Sequence, residues 1–263
     1  MLSAEHRRVL EQNIRLHETE AYFYNATHPE NFNVFEQRRL KRELRRLAGE
    51  ADPTLPVLDL ASGTGNVSDH LKAMSLRTVA CDLSLEMLRE NRAEHRVRCD
   101  ATCLPFKDAS FGAATAYSVF HHLPDPVSTV HEVGRVVAAR GMLYFDHDHF
   151  LPQSGKGLKG YPFTLLDLFG WGGWLVLHPG YLGRLFRYAL WGRRRHRRNL
   201  RGLNQAESHD RVQPERLVAA LESKGFRVEL GRHRGGSYLR AVRHEVPGQI
   251  AEVSGPAHAP AAR

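Results

Sequence analysis

Cysteine is scarce in this chain of 263 residues: Cys81, Cys99 and Cys103 are odd in number and form no C-x-x-C pair. That argues against a disulfide framework and a cysteine-built zinc site, and the three read as small apolar side chains beside strand ends. Long apolar runs are lacking too. The stretch 1–13 carries Glu5, His6, Arg7, Arg8 and Glu11 and has no apolar core of a secretory signal. The most apolar stretch, near 165–177, is too short and too broken by glycine to span a bilayer. No internal repeat is visible. These absences predict a cytoplasmic protein with one substantial core.

A further lack is local. From Leu168 to Ala206 there is no acidic residue, whereas Arg184, Arg187, Arg193, Arg194, Arg195, Arg197, Arg198 and Arg201 are all present. The formal net charge of +8 has its source there, so its placement says more than its total.

What is present begins with Val57-Leu58-Asp59-Leu60-Ala61-Ser62-Gly63-Thr64-Gly65-Asn66, an apolar run that ends in a carboxylate and a small-residue turn. It reads as the first strand and first turn of a nucleotide-binding α/β domain, where residues without Cβ let a ligand approach the backbone. A second run closes on Cys81-Asp82-Leu83-Ser84 and a third on Asp100-Ala101. Three successive strands thus end in acids, Asp59, Asp82 and Asp100, at one edge of one sheet. Carboxylates there accept from an amine, from ribose hydroxyls and from an adenine amino group, and they repel a pyrophosphate. A dinucleotide site usually shows a small third residue in G-x-G-x-x-G/A; Ser68 stands there, which disfavours NAD.

At these residues the chain resembles the class I S-adenosylmethionine-dependent methyltransferases, in particular the group with small-molecule and quinone methyltransferases. The resemblance rests on 57–65, on Asp82-Leu83-Ser84-Leu85-Glu86-Met87-Leu88, on Asp100-Ala101-Thr102-Cys103-Leu104-Pro105-Phe106 and on 111–126 with its Ser118-Val119-Phe120-His121-His122-Leu123 centre. It spans roughly 20–150 and 210–243. It implies S-adenosyl-L-methionine as cofactor, held by Asp59, Gly63, Gly65, Asp82, Leu83, Met87, Asp100, Ala101 and Ser118, with Tyr24 reaching it from N-terminal helices. Two departures stand out: Ala61, where the family often has glycine and where alanine is tolerated if φ stays negative, and Asn25, where quinone-type members usually have aspartate.

Helices are predicted over 5–24 and 33–47, the second stopping at Gly49. An α/β alternation follows over 56–147, then a helix over 214–224 and strands over 226–230 and 237–243. The expected fold is a doubly wound, mostly parallel seven-stranded Rossmann-like sheet with a C-terminal antiparallel hairpin, N-terminal helices and a helical insertion. The expected organisation is an N-terminal cap over 1–48, a cofactor core over 49–149 and a substrate-side insertion over 150–212. The end of the core over 213–245 and a disordered tail over 246–263 complete it.

Methyl transfer to a hydroxyl needs a positioned acceptor and a base. His122, after the fourth strand, and His147, at the end of the fifth, are the candidate catalytic residues; the bland reading of His121-His122 is a loop that shapes the cofactor site. His147 and His149 would share one side of an extended chain as a metal pair does, but no third ligand accompanies them and no metal is expected. The insertion holds all three tryptophans, Trp171, Trp174 and Trp191, beside the arginine run. Three readings fit it: a helix on an anionic membrane surface, a lid over an apolar pocket, or a grip on RNA. The function expected is methylation of a small, lipophilic acceptor, most simply at oxygen, with the protein peripheral at the membrane. The rivals are an RNA-directed methyltransferase and a non-catalytic cofactor-binding partner protein.

Overall fold

The computed structural model describes residues 4–148, 150, 165–192, 212–233 and 236–244. The tail over 246–263 and Arg193 to Arg201 lie outside the described residues.

Three helices come first: α1 (Ala4–Glu20), α2 (Tyr24–Thr27) and α3 (Val34–Glu50). The sequence predicts one helix through to Tyr24. Instead the Phe23 N–H bonds back to the Glu20 carbonyl at 2.8 Å, a tight turn that starts a new helix on Tyr24. Asn33 caps α3, its side chain accepting from the amides of Phe35 and Glu36. The helix passes through Gly49, its expected stop, because a helical glycine costs only about 1 kcal/mol and Leu47 anchors the last turn in the core.

Strands and helices then alternate: β1 (Val57–Leu60), α4 (Asn66–Ala73), β2 (Thr78–Asp82), α5 (Leu85–Glu90), β3 (His95–Arg98), β4 (Phe111–Tyr117), α6 (Pro126–Val136) and β5 (Val137–Asp148). Helices α7 (Leu165–Leu177) and α8 (Pro179–Arg187) follow, and α9 (Pro214–Glu222), β6 (Phe226–His233) and β7 (Gly236–Arg243) close the fold. The seven strands lie in the order β3-β2-β1-β4-β5-β7-β6. The first five are parallel and β7 is antiparallel to both β5 and β6, so the expected closing hairpin is present.

Every residue of β1 is buried, as a central parallel strand covered on both faces requires. One face packs Leu40, Leu44 and Leu47 of α3 and Leu71 of α4 against Val57, Ala113 and Met142. The other packs Val130 and Val133 of α6 and Leu217 and Leu221 of α9 against Leu58, Ala114, Leu143 and Leu239. Helix α3, expected to be cap only, is therefore part of the sheet's own covering layer. The parallel strands point their carboxyl ends one way, and the cavity opens there.

Candidate active site

Leaving β1, the chain takes left-handed steps at Ala61 (φ 47°), Gly63 (φ 50°) and Gly65 (φ 95°). Ala61 thus departs from the negative φ expected of it: the turn needs a left-handed step immediately after the strand, before the glycines begin. An added Cβ at Gly63 would meet nothing within 4 Å, so the turn presents bare backbone to open space. Gly65 does a different job, as the N-terminal cap of α4, where a Cβ would stand 2.9 Å from the Asn91 side chain.

The turn is tied to β2 through Asp82. Its Oδ2 accepts from the Gly63 amide at 2.8 Å and its Oδ1 from the Ser84 amide at 2.8 Å. Burial pushes this carboxyl above the usual range. Asp59 lies one residue inside the end of β1, accepting from the Ser68 hydroxyl at 2.5 Å and the Thr115 hydroxyl at 3.4 Å. Burial, opposed by these hydrogen bonds, pushes it up to about 7. Ser68, which breaks the dinucleotide pattern, is therefore the buried acid's donor. Asp100 stands two residues beyond β3 and holds the Thr102 amide and hydroxyl.

These three acids share one cavity, open to solvent, with Tyr24, Ala61, Gly63, Leu83, Met87, Ala101, Ser118 and His122. Of the residues expected from sequence, Gly65 and His147 are not in its lining. Among the described residues no lysine or arginine lines it. This donor set fits a cationic, ribose-bearing ligand and opposes a pyrophosphate.

The opposite wall comes from α1 and the segment after α2. Leu10, Asn13 and His17 of α1 face the cavity, with Tyr24, Asn31 and Phe32 beyond them. The Tyr24 ring stacks on His28 at 3.9 Å, and burial with the charge of Glu30 keeps its phenol protonated. Asn31 has a buried Oδ1 without a hydrogen-bond partner among the described residues. Asn25 is committed elsewhere: it accepts from the Thr64 hydroxyl and donates to the Tyr181 hydroxyl at 3.0 Å, so it ties the glycine turn to α8.

A 3-10 turn, Phe120–His122, follows β4. Its two histidines part company. His121 bonds through Nδ1 to Asp148 Oδ1 at 2.7 Å, while Asp148 also accepts the amides of Val119, Phe120 and His121. His122 lines the cavity, its carbonyl held by Asn13 at 2.7 Å and its ring edge-on to His17 with centroids 5.3 Å apart. Burial, with the neighbouring His28, lowers His17 to about 4, so its imidazole is neutral. The sequence pattern does not single out Asn13 and His17. Their spacing of four, with Leu10 three residues earlier, does place them on one helix face, and the apolar pattern alone points to Val9 and Leu16 instead.

His147 belongs to a separate buried network. Its ring stacks on Tyr117 at 5.1 Å, its Nδ1 is 3.2 Å from the Tyr117 hydroxyl, and the carboxylate of Glu36 is 3.8 Å away. Asp146 binds Arg39 at 2.6 Å and His233 at 2.7 Å beside it. The extended chain assumed for a His147 and His149 pair is interrupted: His147 has φ 60° where the β5 and β7 register shifts, and His149 lies outside the described residues.

Within the insertion, the inner faces of α7 and α8 complete the wall from behind. Trp174 and Leu175 are buried against Phe32, with Trp171 and Tyr181 packed alongside. The side chain of Trp191 lies outside the described residues.

Residues 58–145, from β1 into β5, match the methyltransferase domain family. This part of the chain is a methyltransferase domain. Demethylmenaquinone methyltransferase of Renibacterium salmoninarum is 36% identical over 121 residues, covering 42% of this chain and 51% of the relative. The protein of the same name from Streptomyces avermitilis is 33% identical over 124 residues, covering 44% and 53%. The chain thus spans about half the length of these curated relatives. Among solved structures, the SAM-dependent methyltransferase, possible histamine N-methyltransferase, of Thermotoga maritima shares the fold at a TM-score of 0.50, with 14% identity over 88% of this chain and all of that one.

Proposed function

We propose that the protein transfers the methyl group of S-adenosylmethionine to a small lipophilic acceptor, at oxygen. The observation that carries this reading is the cavity's division of labour. Three carboxylates and a bare glycine turn line one side, and Leu10, Phe32, Leu123 and Pro124 bring apolar surface to the same space as His17 and His122.

Asp82 and Asp100 would hold the ribose and base of the cofactor, and Asp59 would face its amine, as a buried acid poised near neutrality suits a cation. The cofactor supplies an electrophilic methyl on a sulfonium. The chain's own residues then have two tasks. His122 accepts a hydrogen bond from the acceptor hydroxyl and takes its proton as the oxygen forms its new bond, and neutral His17, edge-on to the His122 ring, fixes that ring in place. His147, outside the lining, supports Tyr117 at the cavity wall.

The curated relatives carry a quinone in their name, which supports a lipophilic acceptor. The test is conversion of S-adenosylmethionine to S-adenosylhomocysteine with lipid, RNA and protein extracts supplied in turn. Turnover with lipid extract supports the reading. Turnover with RNA alone, or with none of them despite tight S-adenosylhomocysteine binding, replaces it with one of its rivals.

A further inference from the structure

Helices α7 and α8 are two-faced. Their inner faces bury Trp174 and Leu175 and pack on Phe32 and Tyr24, both of which line the cavity. Their outer faces are apolar as well. On α7, Phe169, Val176 and Leu177 are 75%, 77% and 70% exposed. Leu182 and Phe186 of α8, with Leu190 in the following turn, repeat every four residues and are 52%, 65% and 57% exposed. Spacings of four and eight put each set on one side of its helix. Side chains of this size left in water on two successive helices mark a surface that is covered in use.

We propose that this outer face docks on an anionic lipid bilayer, lying in the interface with its apolar side chains among the acyl chains. Charge selects that occupant. No acidic residue occurs from Leu168 to Ala206, and exposed Arg187 flanks the stripe on α8. A stretch rich in arginine and devoid of acid suits a surface that is negative throughout, whereas a protein partner would present charges of both signs. Geometry selects lying over spanning: α7 has 13 residues, and among the described residues no helix is long and apolar enough to cross a membrane. The inference deepens the methyltransferase reading, since the docked helices form the wall that backs the cavity, and it rests on that reading only for its purpose.

Flotation of the full chain with vesicles tests it. The protein should rise with vesicles of phosphatidylcholine mixed with phosphatidylglycerol, and rise less with phosphatidylcholine alone or in high salt. The pair Phe169→Ser with Leu177→Ser, and separately Leu182→Ser with Phe186→Ser, should each lower association about tenfold or more, since large apolar side chains leave the acyl region. Both pairs should bind S-adenosylhomocysteine as the parent does, and the two pairs on different helices guard against a folding defect in either. Failure of the parent to float overturns the proposal, as does flotation of both pairs at the parent's level. So does self-association or RNA binding that the substitutions abolish while flotation is absent. Flotation without S-adenosylhomocysteine binding would defeat the functional reading and leave the docking face standing; the reverse result would defeat the docking face alone.

Discussion

The ring of His17, carried by the first helix, stands edge-on to that of His122, carried by the turn after β4, with centroids 5.3 Å apart across 105 residues of sequence. Burial keeps His17 neutral in the fold, lowered to about 4 from an ordinary 6.5. The unfolded chain therefore binds the extra proton across that interval, so this contribution is complete above pH 6.5 and is lost as pH falls toward 4. His17→Gln should flatten the acid limb of the stability curve by about 1–2 kcal/mol, a value reduced because the cavity admits water. Urea titrations at stepped pH measure it.

Asp59 acts with the opposite sign. The folded protein keeps this proton up to about 7, whereas the unfolded chain releases it near 3.8, so its contribution to stability falls as pH rises through that window. Asp59→Asn should remove a fall on the order of 3–4 kcal/mol between those limits. Binding of a ligand amine beside the carboxyl favours its charged form. S-adenosylhomocysteine binding near pH 6.5 should therefore release a proton, seen as a binding enthalpy that varies with the buffer's ionisation enthalpy, and Asp59→Asn should abolish that variation.

Asp82 holds the Gly63 and Ser84 amides, so its loss loosens the turn as well as removing an acceptor. Asp82→Ala should weaken S-adenosylhomocysteine binding roughly ten- to a hundredfold by calorimetry, in line with about 1–3 kcal/mol for a buried acceptor. Unchanged affinity would remove Asp82 from the proposed site.

Ala61 holds a left-handed conformation that an L-residue adopts at a cost of about 1–2 kcal/mol. Ala61→Gly should relieve that strain and, after the greater freedom glycine gives the unfolded chain, stabilise the fold by about 0.5–1 kcal/mol. A thermal melt should show Tm about 2 °C higher. A lower Tm would mean that the Ala61 methyl group supplies packing that outweighs the strain.

The sequence by itself determined the sheet, because buried parallel strands and the closing hairpin write their order into local apolar runs and short turns. It determined the acids as well: Asp59, Asp82 and Asp100 sit next to the ends of those runs, so locating the strands locates the carboxylates. What it left undecided depends on contacts between distant segments. The positive φ of Ala61 follows from how the turn must meet β2, and no local propensity reports that. His121 and His122 are equivalent as neighbours in sequence; only Asp148, 27 residues further on, turns one inward and leaves the other to the cavity. A regular strand end would bring His147 to the cavity, and a register shift in β5 turns it to Tyr117 and Glu36 instead. Asn13 and His17 reach the site because α1 crosses the open end of the sheet. That placement is fixed by packing and long-range hydrogen bonds, such as the one from Asn13 to the His122 carbonyl, which a helical period cannot encode.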